Sequence, residues 1–120
     1  MTVYPALPLT TYIAAAHNST EFSIDGDRGA NIWVDITNAN GGSVIVKLQH
    51  KSPSGTWLDV TGVVTASLSS ATATNVKVYP GIAVVANASL NVVLGGGVYR
   101  IVATVSTATM TLRVTVQSIT

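Results

Sequence analysis

The side chains able to do chemistry in this chain are few: Glu21, Asp25, Asp27, Asp35, Asp59, His17 and His50, with no cysteine at all. Acid-base catalysis needs titratable groups brought into pairs, and metal binding needs three or four donors at ligand spacing. His17 lies in a turn-like stretch beside Asn18, Ser19 and Thr20, with no second histidine at ligand spacing. His50 falls near the end of a strand, as a rim residue would. Asp25-Gly26-Asp27-Arg28-Gly29 has two carboxylates beside glycines, a fragment of a calcium loop without its downstream bidentate glutamate, and reads as a polar turn. No catalytic residue, metal ligand or cofactor is therefore assigned, and the chain is expected not to be an enzyme. Without cysteine there is also no disulfide framework and no thiol nucleophile.

The aromatic side chains offer more. Trp33 and Trp57 each precede a carboxylate by two residues, Asp35 and Asp59, so on a strand each pair shares a face. Trp33, Trp57 and Tyr79 lining one face, with Asp35 and Asp59 beside the rings, would suit sugar stacking and hydroxyl recognition. Equally, an outward Trp33 is costly unless a partner or loop covers it, and Trp57, following the hairpin turn on a short strand, reads first as a core or cap residue packed against the sheet edge.

The elements that must position these residues are strands. Val, Ile and Thr dominate stretches of period two, and helix is nearly excluded. In Asn31 to Thr37, Ile32, Val34 and Ile36 share one face, and Trp33 and Asp35 the other. Ser43 to Lys51 sets Val44, Val46 and Leu48 against Lys47, Gln49 and Lys51. Ser52-Pro53-Ser54-Gly55 supplies turn chemistry for a hairpin into Thr56 to Val60. Further strands are expected over Val63 to Ser69, Asn75 to Tyr79, Ser89 to Leu94, Val98 to Ser106 and Met110 to Ser118, with Thr107-Ala108 closing a final hairpin. About seven to nine short antiparallel strands, recurring roughly every ten residues, predict an all-β single β-sandwich, Ig-like or jelly-roll-like. At 120 residues the chain forms one domain by this reading, 1–120. Residues 1–17, with Pro5 and Pro8, read as an extended N-terminal arm, its first residues lying outside the core and able to reach a neighbour.

Composition narrows the partners. Charged residues make up 9% of the chain, against about 25% in ordinary domains. The net charge is +1 and the basic residues are scattered singly, which argues against nucleic acid. No apolar run approaches the roughly 18 residues of a membrane helix, and Met1 to His17 has no basic residue ahead of an apolar stretch, so neither membrane insertion nor a secretory signal is expected. A surface so poor in charge is either unusually neutral or largely covered by partners.

Val44-Ile45-Val46-Lys47-Leu48-Gln49, followed by Ser52-Pro53-Ser54-Gly55-Thr56-Trp57-Leu58-Asp59-Val60, resembles the strand, turn and Gly-x-Trp-x-x-Val hairpin of small β-sandwich virion proteins from tailed bacteriophages. Asn75-Val76-Lys77-Val78-Tyr79-Pro80-Gly81 and Tyr99-Arg100-Ile101-Val102-Ala103 are similar in order and spacing to the same group. The resemblance covers the C-terminal two-thirds or so of the chain. It implies a capsid decoration (cement) protein that binds the outer capsid surface, touches the major capsid protein and copies of itself, and is made in the cytoplasm of a host bacterium. Tyr4, Leu7, Leu9, Trp33 and Tyr79 are then the expected contact residues. The alternatives are a carbohydrate- or receptor-binding module of a tail or fibre, and a ring-forming tail or head-completion subunit.

Overall fold

The computed structural model describes residues 2–24, 29–91, 94 and 96–119. Among them the strands run β1 Val3–Tyr12, β2 Ala16–Asn18, β3 Phe22–Ser23, β4 Gly29–Asn38, β5 Ser43–Lys51, β6 Trp57–Val64, β7 Ala73–Val78, β8 Ser89–Leu90, β9 Val98–Ser106 and β10 Met110–Ile119. They form two sheets. One has the order β1-β10-β4-β7-β8; the other is β2-β9-β5-β6, with β3 on β9 as well.

The alternation read from sequence decides which side of each strand meets the core. Met110, Leu112, Val114 and Val116 of β10 are sealed between the sheets, as are Ile32, Val34 and Ile36 of β4 and Val44, Val46 and Leu48 of β5. Between them, Ile101, Ala103 and Val105 of β9 complete one core. Each buried aliphatic of Val or Leu size contributes about 1.5–3 kcal/mol relative to exposure. The inward polar groups are satisfied. Ser118 Oγ accepts the Thr2 N–H at 2.9 Å, and Thr65 Oγ1 accepts the Val46 N–H at 3.0 Å.

Pairing is nested. β1 pairs with β10, β2 and β3 with β9, β4 with β7, and β5 with β6, each antiparallel. Rolling this long hairpin then brings β10 beside β4 and β9 beside β5. That is jelly-roll connectivity, which decides between the two sandwich types expected. Among the described residues the nest closes in a tight hairpin at β5–β6. There the Gly55 N–H donates to Ser52 O at 2.9 Å and Ser52 N–H to Thr56 O at 2.7 Å, with Gly55 at φ 91°.

Three expectations are corrected. The first residues do not form an arm outside the core: β1 is an edge strand of the first sheet, and Ala6 and Leu7 are buried in the core. Pro5 and Pro8 are accommodated because an edge strand needs N–H donors on one side only, and register shifts fall between Tyr4 and Leu7 and between Leu7 and Thr10. Next, Thr107-Ala108 closes no hairpin. β9 and β10 lie in different sheets, and the chain crosses between them through Thr107 at φ 80°. Finally, Val63 and Val64 belong to β6, whose register jumps from Gln49↔Asp59 to Lys47↔Val64 through a bulge. Of Ser89 to Leu94, the strand described is Ser89–Leu90, parallel to β7; Val92 and Val93 lie outside the described residues.

Candidate binding surfaces

An aromatic row ties the sheets together at one side. Tyr4 stacks on Phe22 with ring centroids 5.2 Å apart, Phe22 on Tyr99 at 6.4 Å, and Tyr99 on His50 at 4.5 Å with planes 7° apart. Tyr4 donates its hydroxyl to Ser23 O at 2.7 Å, so this expected contact residue is a tie from β1 to β3. His50 is packed against Tyr99 and Gly97; a Cβ on Gly97 would come within 2.7 Å of His50 Nε2. Beside it, Pro53, Leu58, Val60 and Val98 line an open cleft of about 830 Å³ at the β5–β6 end. His17 Nε2 donates to Ile13 O at 2.8 Å where the chain leaves β1 for β2.

Leu7, expected at a partner surface, is 5% exposed and belongs to the core. Leu9 lies on the open edge, more than half exposed. Tyr79 is half-buried just past β7, its N–H bonded to Leu90 O at 3.2 Å.

The tryptophans occupy opposite outer faces, Trp33 on the β4 sheet and Trp57 on the β6 sheet, so they do not line one stacking surface. The Arg100 guanidinium lies 4.4 Å from the Trp57 ring centroid, and Lys51 Nζ is 5.7 Å from it. Asp59, on the same face, is engaged by Lys47 Nζ at 3.2 Å and Gln49 Nε2 at 2.9 Å. The Gln49 hydrogen bond, followed by Lys47, holds the Asp59 carboxyl below its ordinary value. Arg100 Nε donates to Gln49 Oε1 at 2.8 Å, joining these groups into one network. Asp35 is paired with Arg113 at 3.1 Å. Asp25 and Asp27 lie outside the described residues. Among the described residues no three His, Cys, Asp or Glu side chains gather closely enough to hold a metal ion.

Sequence reasoning missed the most exposed apolar feature. Between β7 and β8, Val84 and Val85 stand more than half exposed on a loop bonded to itself. Val85 N–H donates to Ser89 O and Ser89 Oγ at 3.2 and 3.0 Å, Ala88 N–H to Val85 O at 3.0 Å, and Asn87 Nδ2 to Val64 O at 3.2 Å. The signal was Asn87, a residue tolerant of the left-handed conformation it adopts at φ 61°. On the opposite edge, Leu9 and Ile13 are exposed at the β1–β2 corner, and Leu58 is exposed at the β5–β6 end.

No protein-family model matches the chain, and no curated protein matches it. Among solved structures, it is similar to a chain of the T13 particle of infectious bursal disease virus, with TM-score 0.54 and 12% identity over 98% of this chain and 31% of that one. A chain of the T=1 particles derived from that virus gives TM-score 0.54 and 11% identity over 98% and 31%. The chain thus spans about a third of the length of those viral chains. The protein YomS of the SPBc2 prophage aligns over 89% of this chain and 90% of its own, at TM-score 0.49 and 11% identity. At such identities the likeness is one of fold: the jelly roll described above is also found in chains that build virus particles.

Proposed function

We propose that this chain is a structural protein of a virus particle, a decoration (cement) protein of a tailed bacteriophage that binds the outer capsid surface and bridges neighbouring capsid subunits. The observation that carries this reading is the placement of exposed apolar side chains on opposite edges of one nearly neutral jelly roll: Leu9 and Ile13 on the β1–β2 side, Val84 and Val85 on the β7–β8 side. A domain that touches one partner needs one such patch; a domain that joins two needs one on each side. The fold shared with particle-forming chains and the phage-like hairpin motifs support the same reading.

The mechanism is mechanical. A standard interface uses about 800 Å² per partner. Two of them would occupy roughly a quarter of the 5865 Å² this domain exposes. Because the paired surfaces exist only in the assembled shell, binding lowers the free energy of the shell and not of its free subunits. Engaging the second edge is intramolecular once the first is held, so two weak contacts make one durable attachment. Pro5 and Pro8 remove N–H donors from the β1 strand, so this edge is suited to side-chain contact rather than strand addition.

The test uses shells of the capsid protein encoded with this chain, assembled without it. Added chain co-sediments and raises the melting temperature of the shell. Leu9→Asp with Ile13→Asp, or Val84→Asp with Val85→Asp, each lowers apparent affinity more than about tenfold and abolishes the thermal gain. Failure of the unaltered chain to bind or to stabilise shells contradicts the proposal.

A further inference from the structure

The outer face of β4, β10 and β7 sets a single indole ring among carboxamides. Trp33 lies between Thr115 of β10 and Asn75 of β7 in register. Its N–H donates to Gln117 Oε1 at 2.8 Å, a diagonal bond that lays the half-buried ring across β10. In the adjacent row Asn31 lies between Gln117 and Lys77, and Asn75 Nδ2 donates to Asn31 Oδ1. A carboxamide carries an acceptor oxygen and an NH2 with two hydrogens. These bonds use the Gln117 and Asn31 oxygens and one Asn75 hydrogen. They leave the NH2 groups of Gln117 and Asn31 and the oxygen of Asn75 around the ring.

We infer that this face is a binding site for a neutral pyranose, seated on Trp33 and read by Asn31, Asn75 and Gln117. The C–H face of a sugar ring packs on indole, while its hydroxyls both donate and accept, which mixed carboxamide groups match and a row of like charges would not. The carboxylate nearest in register, Asp35, is paired with Arg113, and the exposed Lys77 stands one row away beside Asn31, so the groups directly around the ring are neutral and this cation lies at the margin of the face. The core of a protein interface surrounds its aromatic anchor with desolvated apolar contacts. Here Thr115 and Asn75 flank the ring in register, with Asn31, Gln117, Lys77 and the Asp35–Arg113 pair at the next positions, and the exposed Val3 lies beyond Gln117, on the edge strand β1. Trp57 lacks this arrangement, since Arg100 covers its ring and Asp59 is engaged by Lys47 and Gln49. The site needs no capsid partner, so it stands or falls separately from the role proposed above.

The full chain is titrated with maltohexaose, cellohexaose and chitohexaose, following tryptophan fluorescence and the side-chain N–H signals by NMR. The expected result is saturable binding of at least one, with shifts at the Trp33 indole and at the Asn31, Asn75 and Gln117 amides. Trp33→Ala and Asn75→Ala, each checked for an unchanged fold by its backbone NMR spectrum, weaken binding by about tenfold or more, while Trp57→Phe binds as the parent does. Absence of saturable binding with all three sugars overturns the inference. So does binding that survives Trp33→Ala, or that follows Trp57. Loss of shell attachment in Trp33→Ala, with no sugar bound by the parent, makes the face a protein contact and likewise overturns it.

Discussion

Burial of the Tyr12 and Tyr99 side chains raises both phenols above their ordinary value of 10.0, because the interior disfavours the phenolate. Below pH 10 both the folded and the unfolded chain keep these protons, and the two residues make stability independent of pH. Above it the unfolded chain releases them first, so folding stability falls as pH rises through and beyond the unfolded value. Urea midpoints should hold from pH 8 to 9.5 and drop by pH 11, while phenolate absorbance shows tyrosines ionising later in the folded chain than in urea. A midpoint flat to pH 11 would contradict the placement of Tyr99 in the aromatic row. At this scale much was legible in sequence: the outward turn of Trp33 and Asp35 together, and the pairing of Trp57 with Asp59 on one face, follow from strand periodicity. What covers a ring was not legible. Arg100 reaches Trp57 from β9, some forty residues away in sequence, and Gln117 reaches Trp33 from β10.

Among the elements, β1 separates local from long-range reasoning most clearly. Two prolines in nine residues argue against a strand when read locally, yet an edge strand with register shifts tolerates them, and β1 pairs with the backbone edge of β10 that faces away from β4. Leu7→Ala should therefore cost about 2–4 kcal/mol, the loss expected of a buried leucine, and not the few tenths expected of a solvated arm. Denaturant unfolding measures it directly; a change under about 0.5 kcal/mol would mean that β1 does not pack as described. The supposed final hairpin failed for a related reason. Alternation shows that Val98 to Ser106 and Met110 to Ser118 are strands and which faces are apolar, but two such strands satisfy their core equally well side by side or facing across it. Thr107, held at positive φ despite its branched Cβ, takes the sheet-crossing path at a local cost of roughly 1–3 kcal/mol.

For the whole molecule, an all-β sandwich followed from the strand count and the turn spacing, whereas the jelly-roll order did not, since nested pairing joins residues at opposite ends of the chain. The exposed apolar edges became visible only with that order, because it sends β1 and β8 to opposite sides of one sheet. The shortage of charge, plain from composition, gains its meaning there: a neutral domain with an apolar patch on each side is suited to sit between neighbours. The most direct test is electron cryo-microscopy of the intact particle that encodes this chain, locating the domain by its fold. The account predicts regularly repeated copies on the outer shell, each seated across a junction of capsid subunits with the Leu9–Ile13 and Val84–Val85 edges in contact. A ring of copies at the portal or tail, or a few copies at a distal tip, would contradict it.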